Sequence, residues 1–227
     1  MIKYNDLLNL DKTIAKELFL KCDYPWEVLP LIHDFILKIG PTLGDDYKEI
    51  KENVWVHKTC DIYDSAYIIG PAIIDEDTTL RHSAFIRENV IIGKSCIIGN
   101  STEVKNSIIF DNSECPHFNY IGDAILGYHA HTGAGVILSN VKSDKTNITI
   151  KDDKIYETNL RKLSAILADN TEIGCNSVLC PGTIIGKNTN VYPLTRVRGV
   201  IGSNKIVKSM DNIVNKEIKW DYLEQTV

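Results

Sequence analysis

The sequence predicts a mainly β protein: a parallel β-helix of six-residue repeats wound as a triangular prism, with a helical segment before it and a short helix after it. Two observations predict this. Apolar residues recur every sixth position at Val56, Ile62, Ile68, Ile74, Leu80, Ile86, Ile92, Ile98, Val104 and Phe110, and again at Leu167, Ile173, Leu179, Ile185, Val191 and Val197. A helix needs a period of 3.6 and a half-buried strand a period of two, so a period of six fits neither. Glycine often follows the periodic residue, as at Ile92-Gly93, Ile98-Gly99, Ile173-Gly174 and Ile185-Gly186. Glycine, asparagine and aspartate tolerate the backbone angles of a corner. Each hexad then supplies one short flat strand and one corner, and three hexads close a coil. The periodic side chain points inward. One coil is too small to bury its own face, so stability comes from stacking on its neighbours.

The elements follow in chain order. Residues 1–50 show no hexads. Asp6 to Cys22 carries Leu7, Leu8, Leu10, Ile14, Leu18 and Leu20, an amphipathic pattern. Pro25 suits the first turn of a second helix, Pro30 predicts a break near Leu29, and Gly40-Pro41 ends it. This segment is expected to cap the end of the prism. The prism spans 51–207. Its register slips by one between Ile121 and Leu126, and it pauses after Asn140. Residues 141–162 are polar and charged and read as an extruded loop, with strands at Ile148 to Lys151 and Lys154 to Tyr156. Residues 208–227, with Trp220 and Tyr222, read as a helical tail.

Bulk properties exclude several functions. The 227 residues carry a net charge of −5, which argues against nucleic acid as a partner. No run of 18 apolar residues exists, so no membrane span is expected. Met1 to Leu20 has no uninterrupted apolar stretch of a secretory signal. The six cysteines form no CxxC pair or metal-ligand spacing, which suits reduced thiols in the cytoplasm.

The chemistry concentrates between Asn100 and Asn140. Arg87 and Lys105 lie one coil apart, where two cations at about 4.8 Å repel unless an anion separates them or Glu88 and Glu103 neutralise them. His117 follows the conformationally fixed Pro116, and Asn119, Tyr120 and Asp123 follow closely. A histidine here suits a general base that deprotonates an ammonium beside an acyl donor, or a structural role.

Pro116-His117-Phe118-Asn119-Tyr120-Ile121-Gly122-Asp123-Ala124, then Gly133-Ala134-Gly135 and Ser139-Asn140, carry a family resemblance. The chain resembles the acetyltransferase domain of bifunctional N-acetylglucosamine-1-phosphate uridyltransferase / glucosamine-1-phosphate acetyltransferases, and more closely that of archaeal sugar-1-phosphate nucleotidylyltransferases. Arg161-Lys162-Leu163-Ser164-Ala165-Ile166 resembles the archaeal branch. The resemblance covers roughly 53–207 and implies a left-handed coil, a hand that periodicity does not reveal. It implies His117 as catalytic base; Arg87, Lys105, Asn119, Tyr120 and His131 at the substrate; and Ala134, Asn140, Cys175 and Tyr192 at acetyl-CoA. Cys175 stands where the family often has serine, and His131 where the bacterial enzymes have asparagine. A homotrimer acting on an amino-sugar phosphate is implied. Residues 1–50 carry no glycine-rich nucleotide loop, so a stand-alone acetyltransferase without nucleotidyl transfer is expected. Two alternatives remain: a non-catalytic trimeric partner of a separate nucleotidyltransferase, and a γ-carbonic-anhydrase-like metal enzyme drawing on His82, His117, His129 and His131.

Overall fold

The computed structural model describes residues 2–217. Three parallel sheets form the walls of a left-handed prism. Face I runs from Val54–His57 through Ala72–Ile74, Val90–Ile92, Ser107–Ile109, Ile125–Leu126, Ala165–Leu167 and Thr183–Ile185 to Val200–Ile201. Face II runs from Asp61–Ile62 to Lys205–Ser209, and face III from Tyr67–Ile68 to Arg196–Val197. Antiparallel strands finish two edges: Tyr47–Lys51 pairs with Val54–His57, and Asn212–Asn215 with Lys205–Ser209. The second pairing replaces the start of the expected C-terminal helix. The β-branched pairs Ile206-Val207 and Ile213-Val214 suit strands. The remainder of that helix, with Trp220 and Tyr222, lies outside the described residues.

The expected inward column forms the core, from Val56 through Ile74, Leu80, Ile86, Ile92, Ile98 and Val104. Phe110 departs from it. Ile92 pairs with Ile109, 17 residues on, so Ile109 turns inward and Phe110 faces out. Steps of five, Val104 to Ile109 and Ile121 to Leu126, occur at the corner from face III to face I. A third shortening, Val197 to Ile201, falls there too. The excursion at 141–162 leaves from the same corner and carries the hairpin Thr149–Lys151 with Ile155–Glu157. Corners carry left-handed φ, mostly on Asn, Asp and Ser, including Asn89, Asn106, Asp123, Asn170 and Asn188. Phe118 (φ +53°) and Leu194 (φ +61°) are bulky exceptions, and both stand at the corner between faces II and III.

The N-terminal segment does not cap the prism's end. It lies along the outside of face I. Outward residues Trp55, Ile73, Ile91, Ile108, Ile125, Ile166 and Ile184 form an apolar ladder, and Leu7, Phe19, Trp26, Val28, Ile32 and Ile36 bury it. Covering this ladder removes far more apolar area from water than covering one small end. The fit breaks the expected first helix into Tyr4–Leu7 and Lys16–Phe19, joined by the 3-10 turn Leu10–Lys12. The second helix breaks near Leu29 as Pro30 predicts: Pro25–Leu31 is 3-10 and Ile32–Ile39 is α. Backbone bonds fasten the segment, from Asp111 N–H to Lys12 C=O and from Asp169 N–H to Leu7 C=O, each 3.0 Å. The hairpin joins this layer. Ile148 and Ile150 are buried in it, and Tyr156 packs edge-on against the stacked rings of Tyr24 and Trp26.

Phe110 is fully buried with its ring 5.5 Å from that of Phe19. Phe110→Ala is expected to lower stability by about 3–5 kcal/mol in urea unfolding, and a much smaller loss would mean the N-terminal layer contributes little.

Candidate active site

Parallel register turns the sequence into columns along the prism. At the corner between faces II and III, His82, Asn100, His117, Ala134, Cys175 and Pro193 occupy one register position on successive coils. Neighbouring coils stand about 4.8 Å apart, so His117, Ala134 and Cys175 line one edge within about 10 Å. His117 closes the strand Glu114–His117 and is exposed. Its carbonyl accepts from the Gly135 N–H at 3.0 Å, and among the described residues its ring has no hydrogen-bond partner. Tyr192, 45% exposed, precedes Pro193 on the same edge. Phe118 (57% exposed) and Leu194 (79%) flank this edge with strained backbone, and a period of six gave no sign of them.

A second column runs along the opposite edge of face III: Arg87, Lys105, Gly122, Ser139, Cys180 and Arg198. Arg87 and Lys105 are stacked as expected, but each carries its own counter-ion. Arg87 meets Glu103 at 3.0 Å and Glu88 at 3.4 Å. Lys105 reaches Asp123 at 3.6 Å. Asp123 is nearly fully buried and also accepts from Asn106 at 2.9 Å and Asn140 at 2.6 Å. Asn140 donates to the Tyr120 hydroxyl at 3.2 Å. Tyr120 sits half-buried mid-face between the two columns, and burial raises its pKa. The cation pair expected to sandwich an anion is thus neutralised from within.

Three expected placements change. Asn140 stands across face III from Ala134, Cys175 and Tyr192, because it follows Ala134 by one regular hexad and so falls at the next corner. Asn119 turns inward at its corner, where its amide donates to the Gly133 carbonyl at 2.7 Å, and its Oδ1 is buried and unpartnered. His131 lies on face II, away from Arg87, Lys105 and Tyr120, and pairs with Glu172 at 2.8 Å. The Glu172 hydrogen bond is the main reason its pKa is raised above 6.5. His82 shares the His117 edge with Asn100 between them, whereas His129 stands at the far end of face II, so the four histidines do not converge. Among the described residues no group of three His, Cys, Asp or Glu side chains is placed to hold a metal.

A cavity of about 600 Å³ opens where the extruded segment leaves the prism. Its walls include Ser139, Lys142, Asp144, Lys151, Cys180, Arg196 and Arg198. Among the described residues no carboxylate lies within ion-pair distance of Lys151, Arg196 or Arg198. The unusual basic content of 141–162 and the pair Arg196-Val197-Arg198 were its sequence signal.

A left-handed hexapeptide prism defines a fold class, that of the hexapeptide-repeat acyltransferases. Comparison narrows it: the chain is homologous to the acetyltransferase region of bifunctional sugar-1-phosphate nucleotidylyltransferase/acetyltransferases. It is 28% identical over 189 residues to the bifunctional sugar-1-phosphate nucleotidylyltransferase/acetyltransferase of Sulfurisphaera tokodaii, covering 81% of this chain and 47% of that protein. It is 30% identical over 196 residues to the bifunctional protein GlmU of Methanococcus vannielii, covering 85% and 47%. The chain therefore spans about half the length of the curated relatives it matches. Residues 68–159 match the family model for the GMPPB C-terminal domain. Among solved structures, AntD, an N-acyltransferase from Bacillus cereus in complex with dTDP and 3-hydroxybutyryl-CoA, aligns with a TM-score of 0.41 at 15% identity, covering 74% of this chain and 81% of that one.

Two measurements check the site. Lys105 and Asp123 are 13% and 5% exposed, so Lys105→Met strands a buried carboxylate and is expected to cost about 3 kcal/mol in thermal or urea unfolding. An unchanged midpoint would show the pair to be inert. His131 is expected to titrate above 6.5 by NMR, and Glu172→Gln to bring it down. Because its folded value is the raised one, its contribution to stability is complete below pH 6.5 and is lost as pH rises through that value. Glu172→Gln should flatten that limb of the stability profile.

Proposed function

We propose that this chain is an acetyl-CoA-dependent N-acetyltransferase whose acceptor is an amino-sugar phosphate. The carrying observation is the column at the edge of face III, with the exposed His117 ring one coil below Ala134 and two below Cys175. Homology to the acetyltransferase region of the bifunctional relatives supports the same reading. His117 takes a proton from the acceptor ammonium. The free amine attacks the thioester carbonyl, and a backbone N–H at Ala134 meets the oxyanion. Collapse expels the thiolate, which takes the proton held by His117 and leaves as free thiol, and the second ammonium proton passes to solvent as the amide forms. Tyr120 contacts the sugar beside the edge, Cys175 and Tyr192 flank the pantetheine arm, and Asn140 and Lys105 serve from the opposite edge. Acyl-CoA chemistry of this kind is cytoplasmic.

The opposite edges fit a homotrimer. Among the described residues no helix or strand is laid over face III between them, and its outward residues include Tyr67, Phe85, Glu103, Tyr120, Ile137 and Val178, of which Tyr67 is 57% exposed. An exposed apolar stripe of this kind, interrupted by Glu103, suits a subunit contact. Packing of copies there would bring one copy's His117 edge beside another's Asn140 edge.

Mixing the protein with acetyl-CoA and a panel of amino-sugar phosphates, while following free thiol, tests this. Release is expected with at least one acceptor, and His117→Ala should lower it about a hundred- to ten-thousand-fold. No release with any amine would sink the reading.

A further inference from the structure

The cavity at the root of the extruded segment gathers Lys151, Arg196 and Arg198, none of which has an ion-pair partner among the described residues. We propose that it, and not the Arg87–Lys105 pair, is the chain's phosphoryl-anion site, taking the phosphate or diphosphate of a phosphorylated ligand. That the ligand is one of the acetyltransferase's two substrates rests on the function proposed above.

Charge is the first argument. Two arginines and two lysines line the walls with a single acid, Asp144. Asp144 is occupied by Thr146, whose N–H and hydroxyl donate to it at 3.0 and 2.8 Å and hold its pKa below the usual carboxylate range. Lys142 donates only to neutral oxygens, Thr146 Oγ1 and the Asn147 carbonyl. Among the described residues, Lys151, Arg196 and Arg198 have no carboxylate partner, whereas Arg87 and Lys105 both do. An anion entering between Arg87 and Lys105 must displace Glu103 or Asp123. An anion entering the cavity displaces nothing and relieves the mutual repulsion of its walls.

Geometry is the second. Arg196 and Arg198 lie two residues apart at a strand of face III, so the alternation of a strand directs both guanidinium groups outward. Guanidinium matches phosphate oxygens in bidentate fashion. The opposing wall comes from the extruded segment, which is not loose. Ile148 and Ile150 bury beneath it, and Tyr156 rests on Tyr24 and Trp26 of the N-terminal layer. The N-terminal segment thus positions Lys151 through the hairpin, and a pre-set pair of walls spares the ligand the ordering cost of closing them. A volume of about 600 Å³ lies in the range of small-molecule sites.

Calorimetric titration of the full chain with inorganic pyrophosphate at fixed ionic strength tests the site. The double variant Arg196→Ser/Arg198→Ser and the single Lys151→Ser are each expected to weaken binding about tenfold or more, and Arg87→Ser less than about twofold. All four side chains concerned lie at the surface, and unchanged melting midpoints exclude unfolding as the cause. Weakening in Arg87→Ser with the cavity variants unaffected would overturn the proposal, as would no binding of millimolar pyrophosphate to the wild type. Coenzyme A and glucosamine 1-phosphate titrated against the same variants identify the source. Loss confined to coenzyme A assigns the donor's phosphates, and loss confined to the sugar phosphate assigns the acceptor's. Loss of both supports a shared anion site, and loss of neither overturns it. Pyrophosphate binding that persists in a protein unable to release thiol would leave this site standing and remove only the acetyltransferase reading.

Discussion

Each coil of the prism turns three side chains inward, too few to exclude water unless the coils above and below continue the column. Ile74, Ile92, Ile109, Leu126, Leu167 and Ile185 hold one such line with no break in burial. That requirement fixes where the chain can vary. A residue may be dropped, or more than twenty inserted, only where the inward line on each face resumes in register. In this chain every such change falls at the corner between faces III and I. A slip elsewhere would turn an inward isoleucine out to solvent, at about 2 kcal/mol or more per side chain. Asn106, Asp123, Asn140 and the cavity all belong to that corner.

The three faces meet water in different ways. Face I presents an isoleucine ladder and has the N-terminal segment and the hairpin laid over it. Face II presents Thr79, Glu114, His131, Glu172 and Asn190, which solvate themselves and pair across coils, as His131 does with Glu172. Face III presents Tyr67, Phe85, Ile137 and Val178, and among the described residues no helix or strand is laid over it. Its two edges carry the His117 column and the Arg87–Asn140 column. The apolar face between them and the polar groups along its rims have the composition of an interface core and rim.

The prism was legible because its rule is periodic and local. Ten hexad positions predicted the column, and nine of them lie on it. Phe110 did not, because an apolar residue adjacent to the true inward residue Ile109 keeps the pattern while the register has already shifted. The same doubling held the signal for the N-terminal layer. Ile73-Ile74, Ile91-Ile92, Ile108-Ile109, Ile125-Leu126, Ile166-Leu167 and Ile184-Ile185 put one apolar residue inside and one outside the same strand. Only a covered face tolerates that. A cap at the prism's end required no such ladder, so the doubled residues told against it.

The site was legible in part, and the limit is physical. Register spacing stacks Arg87 on Lys105 and His117 below Ala134, because backbone position follows from counting. Spacing says nothing about counter-ions. Glu103 is on the same coil as Lys105 yet pairs with Arg87 one coil away, and Asp123, at the corner just past Gly122, reaches back to Lys105 on the neighbouring coil. Those two carboxylates turn an apparent anion trap into closed pairs whose charge is spent on fold stability. The cations left unpaired lie further along the prism, with Arg196 and Arg198 four coils beyond Lys105, at residues with no hexad role. In a chain of net charge −5, carboxylates abound to neutralise them. A cluster that keeps its positive potential against that background spends folding stability on local repulsion, and a ligand phosphate is the group whose binding recovers it.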